Sequence, residues 1–335
     1  MPANLTPEYR VAEEKFKKAQ TLEEKISALE EMLAKIPKHK GTEKLQADLK
    51  AKLSKLRKQA TSGGGGPSRR TETYHIPKEG AGRISIVGVA NTGKSTLFTV
   101  LTGVSSQVAD YPFTTRTPVV GMMTFEDIKI QVIDLPAVSE QFMLNWVPQI
   151  IRLSDLILLV FDISSLDPIA QLNEPLHILK ERKIELIPEY RELKEEEIGS
   201  HQSVAKIRTL VVSGFMDVDG SEEIFELLKE EAHVDFEIIP LSSITGKGVE
   251  ELKRKLFRGL RINRVYSKEP GKKPSPEPFV LKKGSSVEDF AGKIHKDFVE
   301  KLEFARVWRK GEDKDGIRVS KDFILQDGDI VELHI

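Results

Sequence analysis

The sequence contains no cysteine. That absence excludes disulfide staples, thiolate nucleophiles and cysteine-based zinc sites together. Seven histidines are scattered without ligand spacing, so a bound metal is expected to be held by oxygen. Aromatic residues are sparse, at 7%, and the two tryptophans, Trp146 and Trp308, read as core or interface anchors. No apolar run approaches the roughly 20 residues of a membrane-spanning helix, and the opening MPANLTPEYR lacks the apolar stretch of a signal peptide. A cytoplasmic protein without a membrane partner is expected.

What is present is a chain of 335 residues, 39% apolar and 31% charged, enough for two or three domains. A formal net charge of −1 conceals a gradient. Residues 1–70 carry sixteen basic and nine acidic side chains, whereas residues 71–260 carry nineteen and twenty-nine. The basic arm reads either as a solvated helix face or as a footprint for a phosphate backbone such as RNA.

Residues 1–60 read as a helical hairpin. Thr6 and Pro7 open it, Thr21 and Glu24 form a capping box, and Leu45, Leu49, Leu53 and Leu56 make one apolar stripe. Residues 61–72, with GGGG, read as a flexible linker. From 73 to 262, strands at 84–87, 129–133, 156–161, 210–212 and 236–239 alternate with helices starting at Lys94, near Glu140, near Pro168, at Ser221 and at Lys247. That alternation indicates an α/β domain with a mostly parallel sheet. A Pro/Lys-rich linker at 263–278 precedes a small α+β domain at 279–335, with strands at 279–281, 305–308 and 330–334 and a helix at 287–299.

Gly88-Val89-Ala90-Asn91-Thr92-Gly93-Lys94-Ser95 fits G-x-x-x-x-G-K-[ST] between a strand and a helix, the setting of a phosphate-binding P-loop. Glycines let backbone N–H groups turn onto the phosphates, Lys94 reaches the β- and γ-phosphates, and Ser95 ligates Mg²⁺. Asp134, ending the second strand, is the candidate to hold Mg²⁺ through water. The threonine-rich loop at 111–118, YPFTTRTP, lies between them.

These features carry a resemblance. Asn91 in the P-loop, DYPFTTRTP from Asp110, DLP from Asp134 and GLRINRVYSKEPGKK from Gly259 resemble the Obg-related GTPases, most closely the developmentally regulated GTP-binding (DRG) proteins. The ending, from KKGSSVEDF to LQDGDIVELHI, is similar to a TGS domain, a ubiquitin-like β-grasp module. The resemblance implies a P-loop G domain whose nucleotide contacts include Gly88, Asn91, Thr92, Gly93, Lys94, Ser95 and Thr96. It makes Thr115, beside Thr114, the switch I ligand of Mg²⁺ and a catalytic residue with Lys94. It also makes the loop from Asp134 to Ala137 switch II, and Ser242, Ser243 and Ile244 the loop whose backbone meets guanine. Partners implied are GTP and GDP, the ribosome or RNA, and a stabilising protein.

The chain departs from that pattern in three places, and Val138, apolar as in the family, adds an expectation of its own. Gly214-Phe215-Met216-Asp217 replaces N-K-x-D: Asp217 keeps the carboxylate that reads guanine, while Phe215 either stacks on the base or tucks under the sheet edge. Ala137 replaces the switch II glycine, and Val138 stands where Ras-like enzymes orient water with glutamine, so slow turnover is expected. Asn91 extends the cofactor expectation from Mg²⁺ to K⁺. Residues 183–208 are too few for the small domain that DRG proteins insert, which marks a compact, archaeal-type or divergent relative. Three readings follow: a slow GTP-hydrolysing switch, a nucleotide-binding ribosome adaptor with little or no hydrolysis, and an ATPase like the YchF proteins.

Overall fold

The computed structural model describes residues 76–104, 117–140, 143–192, 204–231, 235–309 and 316–335, together with Leu29, Met32 and Leu49. The expected hairpin (apart from those three residues, which are helical and buried), the glycine-rich linker and the loop with Thr114 and Thr115 lie outside the described residues. Two compact units divide between Thr73 and Tyr74. Among the described residues, no helix is long and apolar enough to cross a membrane.

The second unit begins with an α/β domain. Its elements are β1 Arg83–Val87, α1 Lys94–Thr102, β2 Val119–Phe125, β3 Ile128–Asp134, α2 Val147–Arg152, β4 Leu156–Asp162, α3 Pro168–Glu181, β5 Ile184–Pro188, β6 Ala205–Gly214, α4 Ser221–Glu231, β7 Ile238–Pro240 and α5 Val249–Gly259. The strands form one sheet in the order β2-β3-β1-β4-β6-β5. β7 shares the edge of β6, pairing its second half while β5 pairs its first. Among the described strands of this sheet, β2 and β3 pair antiparallel and the other pairings are parallel.

Strand alternation sorts the core onto two faces. Ile84, Ile86, Leu156, Leu158 and Val160 pack with Leu97 and Phe98 of α1 and Leu252 and Leu256 of α5. Val87, Ile157, Leu159 and Phe161 pack with α2, α3 and α4 through residues such as Ile150, Leu172 and Phe225. Burial on both sides explains the continuous apolar run of β4. The helix expected near Glu140 starts at Val147 and runs for six residues, with Pro148 in its first turn.

The remaining elements are β8 Ile262–Ser267, β9 Phe279–Lys282, α6 Val287–Ile294, α7 Lys296–Lys301, β10 Phe304–Trp308, β11 Ile317–Val319 and β12 Asp329–His334. They make a second sheet, β11-β10-β12-β8-β9, with β12 and β8 parallel. α6 buries Val287, Phe290 and Ala291 against Val265, Ala305, Val307 and Val331. Two expectations differ from what is observed. The stretch expected as linker from 263 begins as β8, because Asn263 and Val265 turn inward while Arg264 and Tyr266 alternate to the other face. The helix expected over 287–299 is interrupted at His295, which is extended (φ −164°, ψ 150°) and accepts from the Asp297 N–H at 3.2 Å to start α7.

Arg264 ties the two sheets together. Its guanidinium grips both oxygens of Asp327 at 3.1 and 2.8 Å, donates to Asp127 at 2.9 Å and to Glu126 in the β2–β3 turn, and lies 4.9 Å over the Phe257 ring. Phe257 stacks in turn on Phe125, with centroids 5.1 Å apart. The Tyr266 hydroxyl donates to Asp127, and burial together with that carboxylate pushes it up to about 12.

Candidate nucleotide site

Doubly wound sheets bind ligands at the carboxyl ends of strands where the order reverses. Here β1 is flanked by β3 and β4, and the segment 88–93 leaves its carboxyl end to enter α1. Two glycines are required by geometry. A Cβ on Gly88 would sit 2.3 Å from the Val160 carbonyl oxygen, and Gly93 holds φ 80°. Asn91 is also left-handed (φ 62°), a conformation that asparagine tolerates, and its side chain is exposed. Gly93 caps α1 without a side chain, so the first-turn N–H groups and the positive end of the helix face the loop itself.

Lys94 is 7% exposed; its ammonium donates to the Val89 carbonyl and lies 3.5 Å from Thr92 Oγ1. Burial lowers its pKa to about 8, with the Asp134 carboxylate offsetting part of the effect. A cation folded back inside the P-loop has the charge and reach for a terminal phosphate. Ser95 donates to Asp134 Oδ2 at 2.6 Å. This hydroxyl and this carboxylate, brought from α1 and β3, are the hard oxygen donors that suit Mg²⁺.

Beyond Asp134 the chain turns back beneath the P-loop. Ala137 is 8% exposed, and the Val138 N–H donates to the Gly88 carbonyl at 3.1 Å. The Val138 side chain is fully buried with Val87, Leu135 and Trp146, so it has no access to a water molecule.

The far end of the cleft is built from the loops after β6 and β7. Ser242, fully buried, donates to Asp217 Oδ1 at 2.6 Å and accepts from the Thr245 N–H at 3.1 Å. The Met216 N–H on Leu241 O (3.2 Å) and the Leu241 N–H on Ser213 O (2.9 Å) bind the two loops together. Gly214, at the position where the resemblance places asparagine, approaches the P-loop closely: a Cβ there would lie 3.6 Å from Thr92 O. Phe215 (φ 62°) lays its ring edge against Gly93, 3.3 Å from where a Cβ would stand, and also packs on the core. It lines the cleft with Thr92, Thr96, Asp217, Ser243 and Ile244. Apolar contact thus joins base loop to P-loop where an amide is missing.

Of the site residues named from the sequence, Thr92, Gly93, Thr96, Phe215, Asp217, Ser243 and Ile244 line this cleft, while Ser95 bonds to Asp134, Lys94 folds back on Val89, the Val138 N–H ties the loop of Ala137 to Gly88, and Ser242 holds Asp217. Thr115 lies outside the described residues. Sequence reasoning missed the apolar walls Leu97, Val160 and Leu241. Their positions at strand ends and on the first turns of α1 were the available signal.

A family model described as 50S ribosome-binding GTPase matches residues 83–191, and one described as TGS domain matches residues 263–335. An uncharacterized GTP-binding protein of Methanocaldococcus jannaschii is 33% identical over 94% of this chain and 93% of its own. Developmentally-regulated G-protein 1 of Arabidopsis thaliana is 28% identical over 92% and 90%, and Developmentally-regulated GTP-binding protein 1 of Xenopus laevis 29% over 92% and 98%. A solved GTP binding protein from Pyrococcus horikoshii OT3 aligns at a TM-score of 0.49 and 18% identity, covering 75% of this chain and 99% of that one. With a P-loop GTPase domain joined to a TGS domain and likeness that spans almost the entire length of its relatives, the chain belongs to the DRG family of GTP-binding proteins.

Proposed function

We propose that the protein is a slow, Mg²⁺-dependent GTP-hydrolysing switch acting with the ribosome or its RNA. The observation that carries this reading is the pair of oxygen groups Ser95–Asp134 at the P-loop, suited to Mg²⁺, together with the Asp217 carboxylate that Ser242 holds beside the cleft, suited to guanine. Ser95 would hold Mg²⁺ directly, Asp134 through water, and Thr115 would close the set from switch I. Bound there, the ion supplies charge neutralisation on the β- and γ-phosphate oxygens. Lys94 and the N–H groups of the P-loop orient the triphosphate and stabilise the charge that develops on it.

Asp217 accepts two hydrogen bonds from guanine, which adenine does not offer. Replacing it by alanine is expected to lower the preference for GTP over ATP at least about 100-fold, measured by equilibrium binding of fluorescent GTP, GDP and ATP analogues with Mg²⁺. Equal binding of all three by wild type, unchanged in the variant, would transfer the protein to the adaptor or ATPase readings. Tight GTP binding without turnover, even with ribosomes present, would favour the adaptor; the buried Val138 is the observation on that side.

With no side chain at 138 to position water, the compensating charge is proposed to be K⁺ at the exposed amide oxygen of Asn91. Hydrolysis is expected to run about tenfold faster in KCl than in NaCl at equal ionic strength, an effect of ordinary size for one charge at a transition state. Equal rates remove K⁺ from the proposal and leave the Mg²⁺ reading standing. The ribosomal partner is supported by the matched family description and by the basic arm.

A further inference from the structure

We infer that Gly214 leaves position 7 of the purine unread, so that the base subsite takes guanine nucleotides whatever stands there. The inference rests on the GTP reading proposed above and concerns which atoms of the base the cleft consults. Guanine has hydrogens to give at N1 and N2, whereas O6 and N7 only accept. A carboxylate also only accepts, so Asp217 serves the N1–N2 edge. The O6–N7 edge needs donors. Among the described residues that line the cleft there is no ammonium, guanidinium or side-chain amide. The side-chain donors present are hydroxyls, and that of Thr92 is already given to the Val89 carbonyl at 3.2 Å. Apolar groups of Leu97, Val160, Phe215 and Leu241 make up much of the wall.

The place of Gly214 in the fold assigns N7 to it. Gly214 ends β6, and a Cβ on it would lie 3.3 Å from the Phe161 carbonyl oxygen and 3.6 Å from that of Thr92. It therefore stands where the strand end meets the P-loop, with Asp217 one turn of chain further on. A purine whose N1–N2 edge meets Asp217 turns N7 back toward that junction. What awaits it there is backbone carbonyl oxygen and a residue with no side chain. A site built to bind an acceptor suffers when the acceptor is missing, because its own donor is left unpaired. Here no donor is left behind, so removing N7 costs nothing. Methylating N7 goes further. It makes the base cationic, and a cation is attracted by the Phe215 ring and by the Asp217 carboxylate alike.

The full chain, loaded with a fluorescent GDP analogue and Mg²⁺, would be challenged with GTP, 7-deaza-GTP and N7-methyl-GTP, in slightly acid buffer so that the methylated base keeps its N1 proton. Wild type is expected to bind 7-deaza-GTP within about threefold of GTP, and N7-methyl-GTP as tightly as GTP or tighter. Gly214→Asn, which supplies an amide donor, is expected to favour GTP over both modified nucleotides by about tenfold, the worth of one hydrogen bond. A Cβ at 214 obliges a neighbour to give by a few tenths of an ångström, so Gly214→Ala is the control, expected to shift all three affinities alike. A wild-type preference of tenfold or more for GTP over 7-deaza-GTP would overturn the inference, by showing that a Thr96 or Ser243 hydroxyl reads N7. So would an asparagine variant that binds all three alike, since Gly214 would then not be what leaves N7 unread. ATP is the arm that separates the two readings. Displacement by ATP as effective as that by GTP would end both, whereas GTP favoured over ATP and over 7-deaza-GTP would end this inference and leave the GTP reading intact.

Discussion

Lys94→Met is expected to cut GTP hydrolysis at least about 100- to 1000-fold while making the nucleotide-free protein more stable. Lys94 is 7% exposed, and its ammonium is satisfied by backbone and hydroxyl oxygens of its own loop. A depression from 10.5 to about 8 corresponds to a cost on the order of 3 kcal/mol for keeping the group charged in the fold. Methionine fills similar space without that cost, so a gain of about 1–3 kcal/mol is expected at pH 7. The pH dependence follows from the same numbers. Because the folded-state value lies below the unfolded one, the unfolded chain binds more protons between pH 8 and 10.5, and the lysine's unfavourable contribution fades as pH rises through that window. Below pH 8 both states are protonated and the cost is constant. Thermal melts of wild type and variant should therefore differ most at pH 7 and converge toward pH 10. Saturating GTP should reverse the order, since binding stabilises the protein that binds. A variant less stable than wild type without nucleotide would show that Lys94 supports the loop instead of straining it.

Arg264→Ala is expected to lower stability by about 2 kcal/mol and to separate the unfolding of the two sheets in calorimetry. The side chain is 12% exposed, and its removal leaves Asp127 and Asp327, both about one-third exposed, facing each other with Glu126 beside them. The repulsion is moderated by solvent at these partly open sites, which is why the figure stays below that of a fully buried pair. Lysine should not rescue, because it cannot grip both Asp327 oxygens and cover the Phe257 ring at once. GTP binding should be unaffected, as none of these groups lines the cleft. A single unfolding transition of unchanged Tm would mean that apolar contact alone holds the sheets together.

The parts of the site legible in the sequence were those fixed by chemistry at short range. A P-loop must follow a strand and open a helix, and Asp134 had to end the neighbouring strand. The second base loop was placed by likeness to a family, and its role could not be read from Ser242 alone: the 2.6 Å bond to Asp217 spans 25 residues of chain. Phe215 is instructive, since two placements were open, on the base or under the sheet edge, and the ring packs on the core while one side of it lines the cleft. In the fold, the buried strand β4 was legible because both of its faces are apolar, and β1 and β3 because one face of each is, through Ile84 and Ile86 and through Ile128, Ile130 and Val132. β2 and β5 were missed because they lie at sheet edges, with mixed burial in β2 and a short run closed by Pro188 in β5. β8 was hidden by the lysines and prolines that follow it.

The sheet that β8 opens has one more consequence. α5 ends at Gly259 and β8 starts at Ile262, so two residues join the GTPase domain to the TGS domain. A connection that short is a weld, with no room for a swivel. The proline-rich stretch that looks like the natural place to cut, between Ser267 and Phe279, is instead an internal loop whose two ends belong to the same sheet. Proteolysis there should leave the halves associated. In solution the two domains should tumble with one rotational correlation time, so that a fluorophore on the TGS domain reports the hydrodynamics of the whole.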